Sequence, residues 1–502
     1  MKAKIYSLAI VLMVLLVSSP LLAAPKDTIL IAQGTDPTTL DPQDHFEMPA
    51  FCVLINIYET LLVRSDDMKI QPLLATSWKI INDTTWEFSL RKGVKFHNGE
   101  EFNAAAVKFS LERINDPKNK LKQTTLQGIL DRVEVIDDYT IRIITKKPYP
   151  YLDAQLCHIG AIMPPKYVQE KGKNHIIGNP VGTGPYKFVR WVKDDHLVLE
   201  ANENHWKGAP KIKKVIFRPI PEATTRVAGL QTQELDLIVN IPPHLSRVMD
   251  WKERSVVAKI PGARIIYMGF DTLHGGPVAD KKVRQAIAQG IDVDTIIKKI
   301  LEGNGVRLGM PLTKYHFGYA PDVKPYLYRP EKARQLLAEA GYPQGFDLTI
   351  HSPSGRYLND KEVAEAVAGD LQKIGINAKV KIVEWGTYMN MTYNRKAGPS
   401  YLLGWGGATM DADGTFFPLL RTDQILSHYS NPSLDDLIEQ GRSTMDKAKR
   451  LKIYSEACRI VKEEVPFAFM YEQIDLYGVS ARLNWAPRPD EKIFVYNMSF
   501  KK

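Results

Sequence analysis

Helical and strand-like patterns alternate through the second half of the chain, and this alternation constrains the fold more than any other sequence feature. Residues 330–340 carry apolar side chains at helical spacing, whereas residues 346–350 alternate apolar and polar side chains as a strand does. The predicted elements are, in order, helix 330–340, strand 346–350, helix 360–374, strand 378–382 and strand 401–405. Such an order predicts a mainly parallel sheet covered by helices, with a ligand crevice at the carboxyl ends of its strands.

The first half of the chain is instead rich in strand patterns separated by short turns. Strands are predicted at residues 29–33, at 86–90 and, as a pair around residues 137–138, at 133–143, while residues 50–62 are predicted to form a helix. A chain of 502 residues exceeds the size at which one hydrophobic core keeps growing, and no Pro- or Ser-rich linker separates its halves. We therefore predict an α/β fold with more than one lobe and closely associated halves.

The first residues have the pattern of a secretory signal peptide. Lys2 and Lys4 precede an apolar run over residues 8–17, and residues 22–24 supply the small side chains at which a signal peptidase cuts. A run this short favours a cleaved signal peptide (1–24) over a retained membrane anchor, which needs about 20 apolar residues. Because the cleavage region has no cysteine for a lipid anchor, we expect the mature protein in a Gram-negative periplasm.

Charge and motifs disfavour nucleic-acid binding and catalysis. The net charge is +9, but Lys and Arg are scattered among acidic residues, which indicates a solvated surface. The sequence has no nucleophile elbow, zinc-binding helix motif or phosphate loop, and its histidines are dispersed. Asp411 and Asp413 resemble a carboxylate pair for acid–base work, yet such residues can equally cap a helix or bind a ligand. We therefore expect no catalytic residues, no metal site and no cofactor.

Three cysteines are an odd number for an exported protein. Cys458 lies in register with Leu451 and Val461 on a helical apolar stripe, so we expect it to pack as a small hydrophobic side chain. Cys52 and Cys157 either form a disulfide or stay free, and the sequence leaves both alternatives open.

Several segments, spread in order over nearly the whole mature chain, carry a family resemblance. They are LLATSW (73–78), WEFSLRKGVKFHNG (86–99), PVGTGPY (180–186), ATTR (223–226) with Leu230 and Asp236, VRQA (283–286), AGY (340–342) and GWG (404–406). Together they resemble the family 5 extracellular solute-binding proteins, which serve dipeptide, oligopeptide, glutathione and nickel ABC importers.

The resemblance implies two α/β lobes joined by a two-strand hinge, with the ligand enclosed between them. Residues 25–268 would form lobe I with an extra strand-rich subdomain, residues 269–474 lobe II, and residues 475–502 a return to lobe I. The hinge strands are expected to cross near residues 268–271 and 471–475. The implied protein is a monomer that captures a small peptide or peptide-like solute and delivers it to ABC permease subunits in the inner membrane.

The resemblance also suggests which residues contact the ligand. Arg356 matches the arginine that peptide-binding relatives use for a ligand carboxylate, a task that suits a bidentate guanidinium; a surface ion pair is the alternative. Tyr357 follows it, and Trp405 either faces the cleft from the end of a strand or packs in the core. Asp411 and Asp413, in the sequence TMDAD, resemble a pattern of the glutathione-type branch, with helix capping as the alternative role.

One departure from the family pattern concerns the amino group of the ligand. Dipeptide-type relatives place an aspartate soon after the Gly-Trp pair, where it pairs with the ligand's α-amino group, and Ala408 takes that position here. The resemblance then favours a glutathione-like, modified or non-peptide ligand, such as a metal chelate, an opine or a glycoside. A secreted enzyme or a chemosensory ligand presenter on the same scaffold is the remaining alternative.

Overall fold

The computed structural model describes residues 27–248, 254–407 and 409–501. The predicted signal peptide (1–24) and Ala408 lie outside the described residues. In the described part of the chain, no helix combines the length and the apolar character that crossing a membrane requires.

Strands outnumber long helices up to the middle of the chain, as the sequence patterns predict. The elements up to residue 176 are β1 (Thr28–Gln33), α1 (Met48–Leu54), β2 (Leu62–Arg64), β3 (Ile70–Pro72), β4 (Ala75–Asn82), β5 (Thr85–Leu90), α2 (Ala104–Asn115), β6 (Leu130–Asp137), β7 (Thr140–Thr145), α3 (Leu152–Gln155), α4 (Pro165–Lys171) and α5 (Lys173–Ile176). They are followed by β8 (Tyr186–Val192), β9 (His196–Ala201), β10 (Lys214–Pro219), α6 (Ala223–Gln231), β11 (Leu237–Ile238), α7 (Pro243–Val248) and β12 (Ser255–Phe270).

Helices and strands then alternate to the end of the chain. The elements are α8 (Lys281–Gly290), α9 (Val293–Thr295), β13 (Gly305–Arg307), α10 (Pro330–Glu339), β14 (Asp347–Ser352), α11 (Asp360–Lys373), β15 (Asn377–Ile382), α12 (Trp385–Tyr393), β16 (Ser400–Trp405), α13 (Asp413–Leu420), α14 (Pro432–Ser443), α15 (Lys447–Glu464), β17 (Phe467–Ser480), β18 (Leu483–Asn484) and β19 (Ser499–Phe500). The helices and strands predicted between residues 330 and 405 all form, with bounds shifted by one or two residues.

Two long strands, β12 and β17, connect the two sides of one large sheet. In the described part of the chain this sheet has eleven strands, in the order β15-β14-β16-β12-β17-β11-β1-β10-β9-β8, with β13 added on β17. We call the side with β1 and β8–β11, together with the separate sheet β4-β5-β7-β6, lobe I, and the side with β14–β16 lobe II. β14 is parallel to β15 and to β16, which confirms the predicted parallel sheet, although β16 pairs antiparallel with β12.

The pairing of β12 with β17 is interrupted where the two strands pass between the lobes. Residues 255–261 pair with residues 474–480, beside β11 of lobe I, whereas residues 265–269 pair with residues 467–472 and with β16 of lobe II. The register shifts between these two segments. A break in pairing at this place gives both strands a point at which they can bend. The lobe boundaries and crossing points inferred from the sequence stay predictions.

Three hydrophobic cores support the lobes. In the described residues, the first fills lobe II and continues into lobe I at Ala32 of β1, at α6 and at β11; a second lies under the sheet β4-β5-β7-β6, and a third fills the remainder of lobe I. Trp86, Phe88 and Leu90 are buried on one face of β5, as their alternation in the sequence predicts. The sheet β4-β5-β7-β6 and the outer part of lobe I therefore have cores of their own, while the core of lobe II is continuous with the part of lobe I beside β12 and β17.

The helix predicted over residues 50–62 is wrong at its carboxyl end. α1 ends at Leu54, and β2 begins only eight residues later. The backbone carbonyl of Ile57 accepts a hydrogen bond from the Gly184 N–H at 2.8 Å, so it is not free for a further helical turn. A Cβ on Gly184 would lie 2.6 Å from the Ile57 carbonyl carbon, which explains the glycine at this close contact.

The cysteines are buried and free, so the disulfide alternative is not formed in this structure. The thiols of Cys52 and Cys157 each donate to a backbone carbonyl at 3.3 Å. Cys458 packs with Val461 in the core that fills lobe II, as predicted, whereas the predicted stripe is wrong at Leu451, which is 41% exposed.

Candidate functional site

A partly open cavity lies between the two lobes. Its lining residues are Phe46, Glu47, Met48, Phe51 and His158 from lobe I, and Arg264, Arg356, Tyr357, Trp385, Met389, Leu403, Gly404, Trp405, Gly406, Gly407 and Leu426 from β12 and lobe II. Most of this wall is aromatic or aliphatic, and the charged side chains converge at a few points. Such a composition is typical of sites that bind small molecules.

The loop that carries Arg356 is fixed by a buried carboxylate. Asp360 accepts hydrogen bonds from the backbone N–H groups of Gly355 (3.0 Å), Arg356 (2.9 Å) and Tyr357 (3.0 Å). Burial raises the pKa of Asp360 to about 6 even though backbone N–H groups stabilise its charged form. Asn240 of lobe I donates to the Arg356 carbonyl at 2.8 Å. The position of Arg356 is therefore set before any ligand arrives.

The guanidinium of Arg356 is a buried cation that lacks a close partner. The residue is 7% exposed, and its guanidinium carbon lies 4.8 Å from the Tyr357 ring and 5.5 Å from the Trp385 ring. Among the described residues its only carboxylate within 4 Å is Glu491, at 3.9 Å, and its Nε–H has no hydrogen-bond partner. Burial and the neighbouring Arg264 lower the pKa of Arg356. A buried guanidinium with unused donors is suited to receive a carboxylate.

The cavity is positive near Arg356 because two arginines share one carboxylate. Arg264 holds Glu491 at 2.6 Å and donates to the Gly404 carbonyl at 2.8 Å, so Glu491 compensates Arg356 only partly. Asp475 lies close to this group, but burial, and then the charge of Glu491, raise its pKa to about 8. A carboxyl group with that pKa is largely neutral at pH 7 and contributes little negative charge.

Glu47 and Trp385 connect the lobes across the cavity. The Trp385 indole N–H donates to Glu47 Oε2 at 2.5 Å, and the Thr38 N–H donates to Glu47 Oε1 at 3.2 Å. Burial raises the pKa of Glu47 to about 7. Sequence reasoning missed both residues, because 338 positions separate them and neither belongs to a recognisable pattern.

Three of the five predicted ligand residues meet at this cavity. Tyr357 is buried beneath Arg356, and its hydroxyl donates to the Gly404 carbonyl at 3.3 Å. Trp405 is partly buried, with its indole N–H donating to the Gly414 carbonyl at 3.0 Å and its ring 6.0 Å from that of Phe46. Both alternatives predicted for Trp405 hold in part. Its side chain lines the cavity and also packs against the core that fills lobe II.

Asp411 and Asp413 lie elsewhere, in buried ion pairs that do not line the cavity. Arg450 binds both carboxylate oxygens of Asp411, at 2.6 and 2.7 Å, and Arg442 Nε lies 3.1 Å from Asp413. Asp411 Oδ1 also accepts the backbone N–H of Asp413, the first residue of α13, at 3.0 Å, in a local turn in which Ala412 and not Asp411 is the N-cap. Burial raises the pKa of Asp413 to about 6. As ligand contacts, these two residues stay a prediction.

Replacing Trp385 with phenylalanine tests the contact between the lobes. The change keeps an aromatic ring but removes the donor to Glu47, so we expect solute affinity to fall by about 1–2 kcal/mol, roughly tenfold. Trp485→Phe, at a ring that packs on Tyr477 in lobe I, serves as the control. Calorimetric titration measures the solute affinity of both variants. Equal affinities for Trp385→Phe and the parent would contradict a role of the Trp385–Glu47 contact in closing the lobes.

Comparisons with known proteins agree on one family. The family model described as bacterial extracellular solute-binding proteins, family 5 Middle, matches residues 69–426. The glutathione-binding protein GsiB of Pectobacterium atrosepticum is 33% identical over 469 residues, covering 91% of this chain and 90% of the relative.

Solved structures of similar proteins match nearly the whole chain. The periplasmic binding protein DppA of Helicobacter pylori, in complex with the peptide STSA, superposes with a TM-score of 0.88 at 28% identity, covering 95% of this chain and 98% of that one. A dipeptide-binding protein of Pseudoalteromonas sp. SM9913, in complex with Met-Leu, gives a TM-score of 0.89 at 25% identity, with 94% and 100% covered. These likenesses confirm the predicted two-lobed α/β fold.

Proposed function

The chain belongs to family 5 of the bacterial extracellular solute-binding proteins, and from that premise we propose that it captures a small peptide-like solute bearing a carboxylate. The solute is enclosed between the lobes and delivered to the permease subunits of an ABC importer in the inner membrane. Binding shifts the population toward the closed form, because the solute contacts both lobes only in that form. Export with removal of residues 1–24 and a free periplasmic state belong to this proposal.

The observation that carries the proposal is that the buried guanidinium of Arg356 lacks a close carboxylate partner. Its guanidinium lies in the interlobe cavity between two aromatic rings, with its Nε–H unpaired and its nearest carboxylate, Glu491, already held by Arg264. Leaving a buried guanidinium undercompensated costs free energy that a ligand carboxylate offsets through charge-assisted hydrogen bonds. Peptides and glutathione both offer such a carboxylate.

The names of similar proteins supply two peptide-like solute classes to test, glutathione and short peptides. Calorimetric titration of the mature protein with glutathione, Met-Leu and the tetrapeptide STSA separates them. Native mass spectrometry of freshly purified protein, which detects a solute that co-purifies, is the complementary measurement. Absence of binding to all three compounds, together with a bare protein mass, would contradict the proposal.

We expect binding to be independent of a free α-amino group. Ala408, at the position where dipeptide-type relatives have an acceptor, offers a methyl group, while Asp411 and Asp413 are already paired with buried arginines. An enclosed ammonium without a counter-charge would carry a desolvation penalty of several kcal/mol. N-acetylation of the best solute should therefore change the affinity by less than about tenfold, or about 1.4 kcal/mol.

Calorimetry with each solute and its N-acetylated form makes this comparison directly. Tight binding of Met-Leu that acetylation abolishes would contradict the expectation. That result would show that another acid accepts the amino group; Glu47 is the candidate, because it lines the cavity and has no cationic partner within 4 Å among the described residues.

A further inference from the structure

Lobe I contains a second cavity, of about 280 Å³, next to the interlobe cavity. Phe51 and His158 line both cavities, and their ring centroids are 4.2 Å apart. The two cavities are therefore direct neighbours, and this pair of rings forms the wall that they share. The Nδ1 atom of His158 has no hydrogen-bond partner among the described residues.

The wall of the lobe I cavity contains a buried ammonium group without a carboxylate partner. Lys492 is 3% exposed, and its ammonium donates to the Cys157 carbonyl at 3.2 Å. Within 4 Å it meets no carboxylate of the described residues. The nearby Asp490 is already bound by Arg488, at 2.8 and 2.9 Å. Two of the three ammonium donors of Lys492 are thus available to a ligand.

A second cation in the wall of the lobe I cavity also lacks a carboxylate partner. Arg64 donates to the carbonyl groups of Met68 and Thr409, whereas its Nε–H has no partner and, in the described part of the chain, no carboxylate lies within 4 Å. Arg488 differs from Arg64, since Asp66 and Asp490 both neutralise it. Lys492 and Arg64 are therefore two buried cations of this wall that have no carboxylate within 4 Å among the described residues.

We infer that the lobe I cavity binds a second carboxylate of the captured solute, at Lys492 and Arg64. The inference rests on the proposed function, since it assumes that the first carboxylate is held at Arg356. Burying cations without counter-charge is unfavourable, and a carboxylate that arrives with the solute supplies both the charge and the missing acceptors. The preferred solute is then an elongated, peptide-like dicarboxylate, such as glutathione, rather than a plain dipeptide.

The test compares one protein variant and its control across matched solutes. Lys492→Met removes the ammonium at nearly constant volume, and Lys166→Met removes an exposed lysine of the same lobe. The probes are glutathione and two analogues that each lack one carboxylate: γ-aminobutyryl-cysteinylglycine, without the glutamyl carboxylate, and the glycinamide form of glutathione. Met-Leu is the fourth probe, and calorimetry gives the dissociation constants.

We expect Lys492→Met to weaken glutathione binding at least tenfold relative to Lys166→Met. The analogue that lacks the carboxylate bound in lobe I should be insensitive to Lys492→Met but remain sensitive to Arg356→Ala. Thermal unfolding should show that Lys492→Met is at least as stable as the parent, because it removes an unpaired buried charge. If Lys492→Met does not fold, the same comparison is made with Arg64→Met.

Two results would overturn the inference while leaving the proposed function intact. One is equal glutathione affinity of Lys492→Met and Lys166→Met, with Arg356→Ala still weakening binding. The other is a parent protein that binds Met-Leu but not glutathione. Failure of the parent to bind any of the four probes would overturn the inference and the proposed function together.

Discussion

Replacing Arg356 with alanine is expected to weaken solute binding by about 2–5 kcal/mol, since the change leaves an enclosed ligand carboxylate unpaired. The guanidinium is held in place by the loop around Asp360 and by the rings of Tyr357 and Trp385, so its contribution needs little ordering on binding. The unliganded protein should keep its thermal stability, because the guanidinium donates no hydrogen bond to any described residue and has the like charge of Arg264 beside it.

Two further variants make the result specific to the guanidinium. Arg356→Lys keeps a positive charge but loses the planar pair of donors. We expect its solute affinity to lie between those of the alanine variant and the parent. Arg190→Ala, at an exposed arginine of β8, should leave affinity unchanged. If calorimetry finds the same affinity for Arg356→Ala as for the parent, the carboxylate is bound elsewhere and Arg356 is not a ligand residue.

Replacing Asp411 with alanine is expected to destabilise the protein by about 3–5 kcal/mol, because it leaves the buried guanidinium of Arg450 without a counter-charge. Arg450 is enclosed by the rings of Tyr151 and Phe317, each 4.7 Å from its guanidinium carbon, so water cannot replace the lost carboxylate easily. Asp411 also loses its contact to the first N–H of α13. Chemical denaturation of the unliganded protein measures the change.

An exposed ion pair of lobe II provides the control for Asp411. Asp322 and Arg459 lie 2.9 Å apart but are both more than half exposed, so Asp322→Ala should leave the stability nearly unchanged. The double change Asp411→Leu with Arg450→Met should recover most of the stability, since it removes both charges together. A stable Asp411→Ala variant that has lost solute binding would instead make Asp411 a ligand residue, as the family resemblance suggests.

Local patterns in the sequence predict the elements of lobe II well, because their side chains follow regular periods. Helix α10 ends before Gly341, and β14 to β16 form at the predicted places. The prediction fails at residues 50–62, where apolar periodicity continues but a contact with Gly184, more than 120 residues away, takes the carbonyl that the helix needs. Such a contact leaves no trace in a window of local sequence.

The residues of the candidate site were likewise only partly predictable from the sequence. Arg356, Tyr357 and Trp405 come from the family resemblance, and the fold brings them to one cavity. Glu47 and Lys492 were not predictable, since an isolated acid in a loop and a lysine near the chain end look like ordinary surface residues until the fold buries them. The spacing of Asp411 and Asp413 fits a ligand site and a buried ion pair equally well, because their arginine partners lie in helices that follow later in the chain.

Small-angle scattering of the mature protein, with and without a saturating solute from the calorimetric panel, tests the central claim that the lobes close on a solute. We expect a monomer whose radius of gyration decreases on binding, as β12 and β17 bend at the break in their pairing. Arg356→Ala at the same solute concentration should show no decrease. A radius of gyration that stays constant in the parent at saturating solute would contradict capture by closure.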